Sequence, residues 1–328
     1  MTSTQVHDSI NSTTPRIKVG VSACLLGQEV RYNGGHKHLP LLTNELAKYF
    51  DFVPTCPEVG AGMGIPRPAI RLVGDPAAPR AVEVDNPEKD FTEPLQRYAD
   101  ARIPQLRDLA GYIFIKNSPS CGLFRVKVYR SNGMPDQTPG RGLFAAALTK
   151  AQPLLPVEED GRLQDPVLRE NFITRVFAMH AWQQLCAKGL SAAALVEFHS
   201  RYKYTLMAHA GPDYVKLGQM LADAGKHDPN ELGPRYFELM MQLLQRKATR
   251  KTNTNVLMHL QGYLKKQLQS NQKSSLASTI ESYRKGIVPL IVPVTLLRHY
   301  FEVYPDPYVN RQTFWQPYPA ELSLRNSL

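Results

Sequence analysis

The chain has 328 residues and a formal net charge of +10, from 39 Lys and Arg against 29 Asp and Glu. This length is typical of two domains. No apolar run approaches the roughly 18 residues that a membrane helix needs, so we expect no membrane contact. The polar first 15 residues lack the apolar core of a secretory signal, and four cysteines do not suggest a disulfide framework. We therefore expect a cytoplasmic protein with reduced thiols and a disordered tail over residues 1–15.

From Arg16 onward, short apolar segments alternate with Gly- and Pro-rich loops and amphipathic segments. The amphipathic segments predict helices at Leu41–Tyr49 and Phe91–Leu109. The apolar segments predict these strands: Lys18–Ala23, Phe52–Thr55, Ala81–Val84, Tyr112–Ile115 and Leu154–Val157. Strands that alternate with helices predict an α/β N-terminal domain with a mostly parallel sheet over residues 16–160.

Beyond residue 160 the pattern becomes helical. Asp165–Gly189 predicts one helix, which lies in a connecting segment over residues 161–190. Ser191 is a suitable N-cap for the next helix, whose apolar face includes Leu195, Phe198 and Tyr202. Five more helices are predicted: Tyr214–Ala224, Pro234–Lys247, Asn253–Gln267, Ser275–Arg284 and Val294–Tyr304. With no convincing strand here, residues 191–328 predict an all-α C-terminal domain.

The positive charge is concentrated in this second half, where residues 191–328 hold 17 Lys and Arg against 10 Asp and Glu. A basic surface favours a polyanionic partner such as RNA. The candidate contacts to RNA phosphates form one run: Arg246, Lys247, Arg250 and Lys251. An ordinary solvated basic face remains the alternative, and the sequence leaves open whether the chain forms a homo-oligomer.

Three cysteines follow predicted strands, each in a short loop: Cys24, Cys56 and Cys121. Chemistry in open α/β sheets gathers beyond the carboxyl ends of the strands, so these thiols could meet at one metal centre. Three buried thiols, a zinc site and an iron–sulfur cluster are all compatible with the spacing. Zinc usually shows close Cys-x-x-Cys pairs, whereas a cluster tolerates scattered thiolates. Cys186 lies in a helical pattern beside Trp182, and we expect it to be a packed core thiol.

The N-terminal motifs resemble the thiouracil desulfidase (TudS) family. The similar segments run in the same order over about 130 residues: Val21–Gly27, Val30–Gly34, Cys56–Arg67 and Ser118–Gly122. The resemblance implies that Cys24, Cys56 and Cys121 hold a 4Fe–4S cluster and that a thiolated pyrimidine loses sulfur without redox change. The family usually has Asp where this chain has Asn33. Asn33 therefore remains a candidate substrate-binding residue without a carboxylate role.

The second half resembles the C-terminal domain of YbgA-like proteins, through segments such as Phe198–Lys203, Asn255–His259, Pro289–Pro293 and Leu296–Tyr300. Joined to a desulfidase-like domain, it resembles the RNA thiouridine desulfidases (RudS). This resemblance implies conversion of 4-thiouridine in transfer RNA to uridine, with release of hydrogen sulfide. A desulfidase of free thiouracil and a non-catalytic RNA-binding protein with a structural metal remain alternatives.

Polar residues near the cysteines are candidates for catalysis and substrate binding. Glu58 lies two residues after Cys56 and is the candidate general base, with a solvated loop carboxylate as its alternative. Ser118 and Ser120 are candidates for hydrogen bonds to the substrate, or for turns around Pro119. Arg31 and Arg67 could each bind phosphate or form a structural ion pair.

Overall fold

The structure is a computed structural model that describes residues 16–326, so the tail predicted over residues 1–15 lies outside the described residues. Within the described range, every strand lies in the first half of the chain. The strands are β1 (Ile17–Ser22), β2 (Phe50–Thr55), β3 (Ile70–Val73), β4 (Arg80–Glu83), β5 (Gly111–Phe114), β6 (Val128–Tyr129) and β7 (Val157–Glu159).

The main sheet has four strands in the order β2-β1-β5-β7, and all its pairs are parallel. Strands β1 and β5 occupy the middle and are buried almost throughout. Parallel strands covered on both faces need continuous apolar residues, which explains why their sequences lack alternation. Because the pairs are parallel, the carboxyl ends of all four strands lie at the same edge.

A second, smaller sheet has the order β4-β3-β6. The segment predicted at Ala81–Val84 forms β4 there, antiparallel to β3, and does not join the main sheet. Strands β3 and β6 have no counterpart in the sequence prediction, and β6 has only two residues. The small sheet forms one wall of the cavity described below.

The helices confirm an α/β N-terminal part followed by a helical C-terminal part. The segment predicted as a helix at Leu41–Tyr49 forms short π- and 3-10-helical turns instead. Within residues 16–326, no helix is long and apolar enough to cross a membrane. The helices are α1 (Pro57–Gly60), α2 (Thr92–Arg102), α3 (Leu143–Ala151), α4 (Pro166–Ala187), α5 (Ala192–Ala210), α6 (Val215–Leu221), α7 (Pro229–Leu244), α8 (Arg250–Tyr263), α9 (Ser270–Arg284), α10 (Ile291–Val303) and α11 (Pro307–Asn310).

Helix α4 lies between the two halves and packs against both. Its residues Phe172 and Val176 belong to a hydrophobic core that includes the main sheet and also Leu195 of α5 and Tyr236 of α7. Helices α8 to α10 form a second core with the C-terminal segment. The first core therefore continues past residue 191, where the sequence predicts a domain boundary.

Polar contacts reinforce this connection. The Asn171 side chain on α4 donates hydrogen bonds to the carbonyl oxygens of Leu244 (2.8 Å) and Arg246 (3.2 Å). The C-terminal segment returns to the same helix, where Tyr318 and Arg325 both bind the Glu170 carboxylate, at 2.6 and 3.1 Å. The two halves of the chain thus share buried apolar and polar contacts along α4.

Candidate functional site

The structure brings the three predicted cysteines to one cavity of about 780 Å³ beyond the carboxyl ends of the main sheet. Cys24 lies in a helical turn directly after β1, Cys56 precedes α1 after β2, and Cys121 lies in the loop after β5. All three side chains line this cavity and none forms a disulfide. Parallel pairing of β1 with both β2 and β5 is the physical reason that residues so distant in sequence meet here.

The thiols are held in their neutral form by burial. Burial raises the pKa of the Cys24 thiol to about 11, and the neighbouring Cys56 sulfur adds to this shift. Burial also raises the pKa of Cys56, and it raises that of Cys121 well above its usual value. Each sulfur therefore keeps its proton at neutral pH unless a positively charged partner replaces that proton.

The donor set of the cavity fits an iron–sulfur cluster. Thiolates are soft ligands, and they are the usual ligands of such clusters. Among the described residues, no group of three or more His, Cys, Asp or Glu side chains lies close enough to hold a single metal ion. In a cluster each thiolate binds a different iron, so its sulfurs stand further apart than around one zinc ion. Three thiols from separate loops at one cavity match the ligand type that such a cluster uses.

A buried ion pair between Glu58 and Arg67 adjoins the thiols. Arg67 Nε and Nη2 donate to Glu58 Oε2 at 2.9 and 2.7 Å, and the Arg67 side chain is only 2% exposed. Its remaining donors reach the carbonyl oxygens of Gly64 (3.0 Å) and Val30 (2.9 Å). Arg67 therefore forms the structural ion pair that the sequence left as the alternative to phosphate binding.

Ser120 connects this ion pair to the third cysteine. Its hydroxyl donates to Glu58 Oε1 at 2.7 Å and lies 3.8 Å from the Cys121 sulfur. Ser118 Oγ lies 3.0 Å from Ser120 Oγ and also accepts hydrogen bonds from the backbone N–H groups of Ser120 and Cys121. The structure thus brings three predicted catalytic candidates, Glu58, Ser118 and Ser120, into one hydrogen-bonded chain.

Two acidic residues that the sequence analysis missed hold the loop of Cys121 in place. The buried Glu159 carboxylate accepts hydrogen bonds from the N–H groups of Leu123 and Phe124, both at 2.9 Å. Asp160 accepts one from the N–H group of Lys116 at 2.8 Å. Glu159 is the last residue of β7 and Asp160 follows it. The only sequence signal for them was charge directly after an apolar segment.

The other predicted substrate-binding residues of this domain lie in different surroundings. Arg31 lines the cavity, and its guanidinium lies 5.6 Å from the centre of the Tyr32 ring. Asn33 is exposed, and its side chain accepts a hydrogen bond from the N–H group of Gly35 at 3.2 Å. Asn33 therefore shapes a turn, and it is not among the residues that line the cavity.

The basic run predicted to contact RNA lies in the other half, at the end of α7 and the start of α8. Arg246 is bound by Asp213, with Nη1 and Oδ2 2.5 Å apart. Lys247, Arg250 and Lys251 are exposed, and no carboxylate among residues 16–326 forms an ion pair with them. The structure places none of the four at the cavity of the cysteines.

The prediction that Cys186 is a packed core thiol is wrong, since the residue is exposed. Trp182, one turn earlier, is buried in the core, whereas residues 186–189 are all exposed. The last turn of α4 therefore extends beyond the surface that the helix packs against. Cys186 provides a natural control for the three cavity cysteines.

Two family models match different parts of the chain. The 2-thiouracil desulfurase family matches residues 19–160, and a family described as a protein of unknown function (DUF1722) matches residues 203–319. The uncharacterized protein YbgA of Escherichia coli is 36% identical over 159 residues, which are 48% of this chain and 94% of YbgA. The uncharacterized protein YbbK of Bacillus subtilis is 30% identical over 140 residues, which are 40% of this chain and 89% of YbbK.

Among solved structures, a 4Fe–4S-dependent thiouracil desulfidase, TudS, is 27% identical to this chain. The match covers 46% of this chain and 95% of that one, with a TM-score of 0.37. By its sequence matches, the chain belongs to the 2-thiouracil desulfurase family in its N-terminal half and to the family of YbgA in its C-terminal half.

We expect Arg67→Met to lower the free energy of unfolding by about 3–5 kcal/mol, because it leaves the Glu58 carboxylate buried and uncompensated. The matched control is Arg97→Met, which removes an exposed pair with Glu93 and should change stability by less than about 1 kcal/mol. Urea titration followed by circular dichroism measures both. Equal losses in the two variants would contradict a structural role for the buried pair.

Proposed function

We propose that this protein removes sulfur from thiolated uracil in transfer RNA, converting 4-thiouridine to uridine and releasing hydrogen sulfide. The observation that carries the proposal is the meeting of Cys24, Cys56 and Cys121 with the Ser120–Glu58–Arg67 network at one cavity. Membership of the 2-thiouracil desulfurase family supports the reaction class. The second, basic half supports RNA as the carrier of the thiolated base.

Cys24, Cys56 and Cys121 would hold a 4Fe–4S cluster through their sulfur atoms. When bound, such a cluster supplies an iron that lacks a protein ligand and can act as a Lewis acid toward the soft thiocarbonyl sulfur. The overall exchange balances without an oxidant or reductant. One water supplies the oxygen of the product carbonyl, and its two protons leave with the sulfur as hydrogen sulfide.

Glu58 is suited to take the first proton from the attacking water. Its carboxylate already accepts hydrogen bonds from Ser120 and Arg67, but two carboxylate oxygens offer about four acceptor positions. The short contact with Ser120 Oγ, and through it with Ser118 Oγ, gives a path along which a proton can pass. The buried Arg67 keeps this carboxylate oriented toward the serines.

Transfer RNA as substrate is supported by charge in the C-terminal half. Residues 191–328 carry a surplus of seven positive charges, and Lys247, Arg250 and Lys251 stand exposed where α7 is followed by α8. Cations of this kind bind backbone phosphates without reading sequence. The rival substrate is free thiouracil, which needs no such surface.

The deciding experiment incubates bulk transfer RNA with anaerobically reconstituted protein and analyses the nucleosides by mass spectrometry. Loss of 4-thiouridine with matching gain of uridine and sulfide would support the proposal. Reaction with free thiouracil while the RNA remains unchanged would favour the rival substrate. Absence of both reactions with an intact cluster would exclude a desulfidase.

We expect Cys24→Ala, Cys56→Ala and Cys121→Ala each to abolish cluster retention and sulfide release, because each removes one of three thiolate ligands. Cys186→Ala should keep both, since that thiol is exposed and lies outside the cavity. Iron and acid-labile sulfide analysis gives a readout independent of turnover. Full iron content and activity in any one of the three cavity variants would overturn the ligand assignment.

We expect Glu58→Gln to retain the cluster and to slow turnover by roughly 100-fold or more, the usual scale for the loss of a general base. The amide keeps the size of the side chain but is a poor proton acceptor. Visible absorbance reports the cluster, and sulfide release from a thiolated substrate reports the rate. Intact absorbance with an unchanged rate would move the base to another residue.

We expect Lys247→Gln/Arg250→Gln/Lys251→Gln to weaken transfer RNA binding and to reduce its dependence on salt. Each lost phosphate contact lowers the slope of log affinity against log salt by about 0.7–0.9. The control Lys188→Gln/Arg235→Gln/Lys273→Gln removes the same charge from exposed sites elsewhere. Equal slopes in the two triple variants would mean that net charge alone acts. Substitution is preferable to deletion of residues 191–328, because α5 and α7 complete the first core.

A further inference from the structure

The cavity that holds the thiols is lined by more positive side chains than its carboxylates can pair with. Its lining contains one carboxylate, Glu58, which Arg67 already neutralises, and Lys37 is paired with Asp160 at 3.1 Å. Five further cations line the cavity with no carboxylate of the described residues paired to them: Arg31, Arg71, Lys116, Arg125 and Lys127. Such a concentration of one sign attracts an anionic ligand.

Arg71 indicates that this ligand supplies a hydrogen-bond acceptor. It lies on β3 in the small sheet, with its guanidinium 5.4 Å from the centre of the Tyr129 ring. Its Nε is buried and has no hydrogen-bond partner among the described residues. A buried donor left unpaired costs about 1–3 kcal/mol, and more when charged, so a hydrogen-bond acceptor entering the cavity would remove this cost.

Arg125 and Lys127 extend the same wall toward solvent. Arg125 has a φ of 56°, a left-handed conformation that a residue other than glycine adopts at a cost. Between them, Val126 is fixed by reciprocal backbone hydrogen bonds with Gly140 (3.2 and 2.8 Å). The backbone that presents these two side chains is therefore held in place by the small sheet and by this bridge.

The chemistry of these groups selects phosphate. A thiolated uracil base is uncharged, so it offers nothing that would require several unpaired cations. Phosphate oxygens accept several hydrogen bonds at once and match the planar guanidinium of arginine. We propose that Arg71, Arg125 and Lys127 bind the phosphate next to the target nucleotide, so that the desulfidase half itself distinguishes a nucleotide from a free base. This inference rests on the proposed function and adds the recognition element at its site.

The test compares equilibrium binding of uridine with that of uridine 5′-monophosphate and 3′-monophosphate to the reconstituted protein, by isothermal titration calorimetry. These oxygen-containing ligands do not react, so binding is measured without turnover. We expect the better monophosphate to bind at least about tenfold more tightly than uridine, as charged hydrogen bonds predict. In Arg71→Gln and in Arg125→Gln/Lys127→Gln, this ratio should fall toward one.

The matched control is Lys48→Gln/Arg107→Gln, which removes two exposed cations of the same domain that are not part of the cavity lining. It should keep the wild-type ratio, because it removes the same net charge as Arg125→Gln/Lys127→Gln but leaves the proposed phosphate site intact. An equal drop in this control would overturn the proposal. A ratio near one in the unmodified protein would overturn it as well.

Three further outcomes separate phosphate binding from a role in cluster retention and from the proposed reaction. Loss of iron from Arg125→Gln/Lys127→Gln with an unchanged ratio would assign these cations to the charge of the cluster and overturn phosphate binding. Phosphate-dependent binding in a protein that releases no sulfide would support the phosphate site while the proposed reaction fails. Desulfuration with a ratio near one would leave the reaction standing and remove the phosphate site.

Discussion

The Glu58–Arg67 ion pair is the interaction on which the arrangement of the site depends. Arg67 binds the carbonyl oxygens of Val30 and Gly64, while Glu58 follows Cys56 and accepts a hydrogen bond from Ser120 beside Cys121. One buried pair thereby joins the three loops that carry the cavity cysteines. Both side chains are nearly out of contact with water, so removal of the Arg67 guanidinium would leave the Glu58 carboxylate buried without a partner.

Burial affects the thiols and the positively charged side chains of this cavity in different ways. It raises the thiol pKa values of Cys24, Cys56 and Cys121, so these sulfurs become strong ligands only when a metal replaces their protons. Among the cations around them, Arg71 has a buried Nε, and attraction to an anion is stronger there than in water. A soft donor set and a positive wall in one cavity are what the proposed thiolated nucleotide would need.

The helical half is structurally continuous with the desulfidase half, because α4 contributes to the first core together with α5 and α7. Asn171 of α4 binds the backbone of Arg246, so the end of α7 is fixed relative to the sheet. The exposed basic residues that follow are thus presented by a rigid base. If both halves bind one RNA, the cavity wall and this basic surface act on the same polyanion, and their contributions to its salt dependence should add.

The sequence alone determined the order of the main strands and helices, because buried parallel strands and amphipathic helices leave periodic apolar patterns. It also proposed Cys24, Cys56, Cys121, Glu58 and Ser120 as site residues, and the structure brings all five to one cavity. Only the tertiary structure showed that Arg67 pairs with Glu58, that Cys186 is exposed, and that Arg71, Arg125 and Lys127 line the same cavity. The sequence did not predict β3, the strand of the small sheet that carries Arg71. The side of a loop or strand that a charged residue faces is decided by packing between segments distant in sequence.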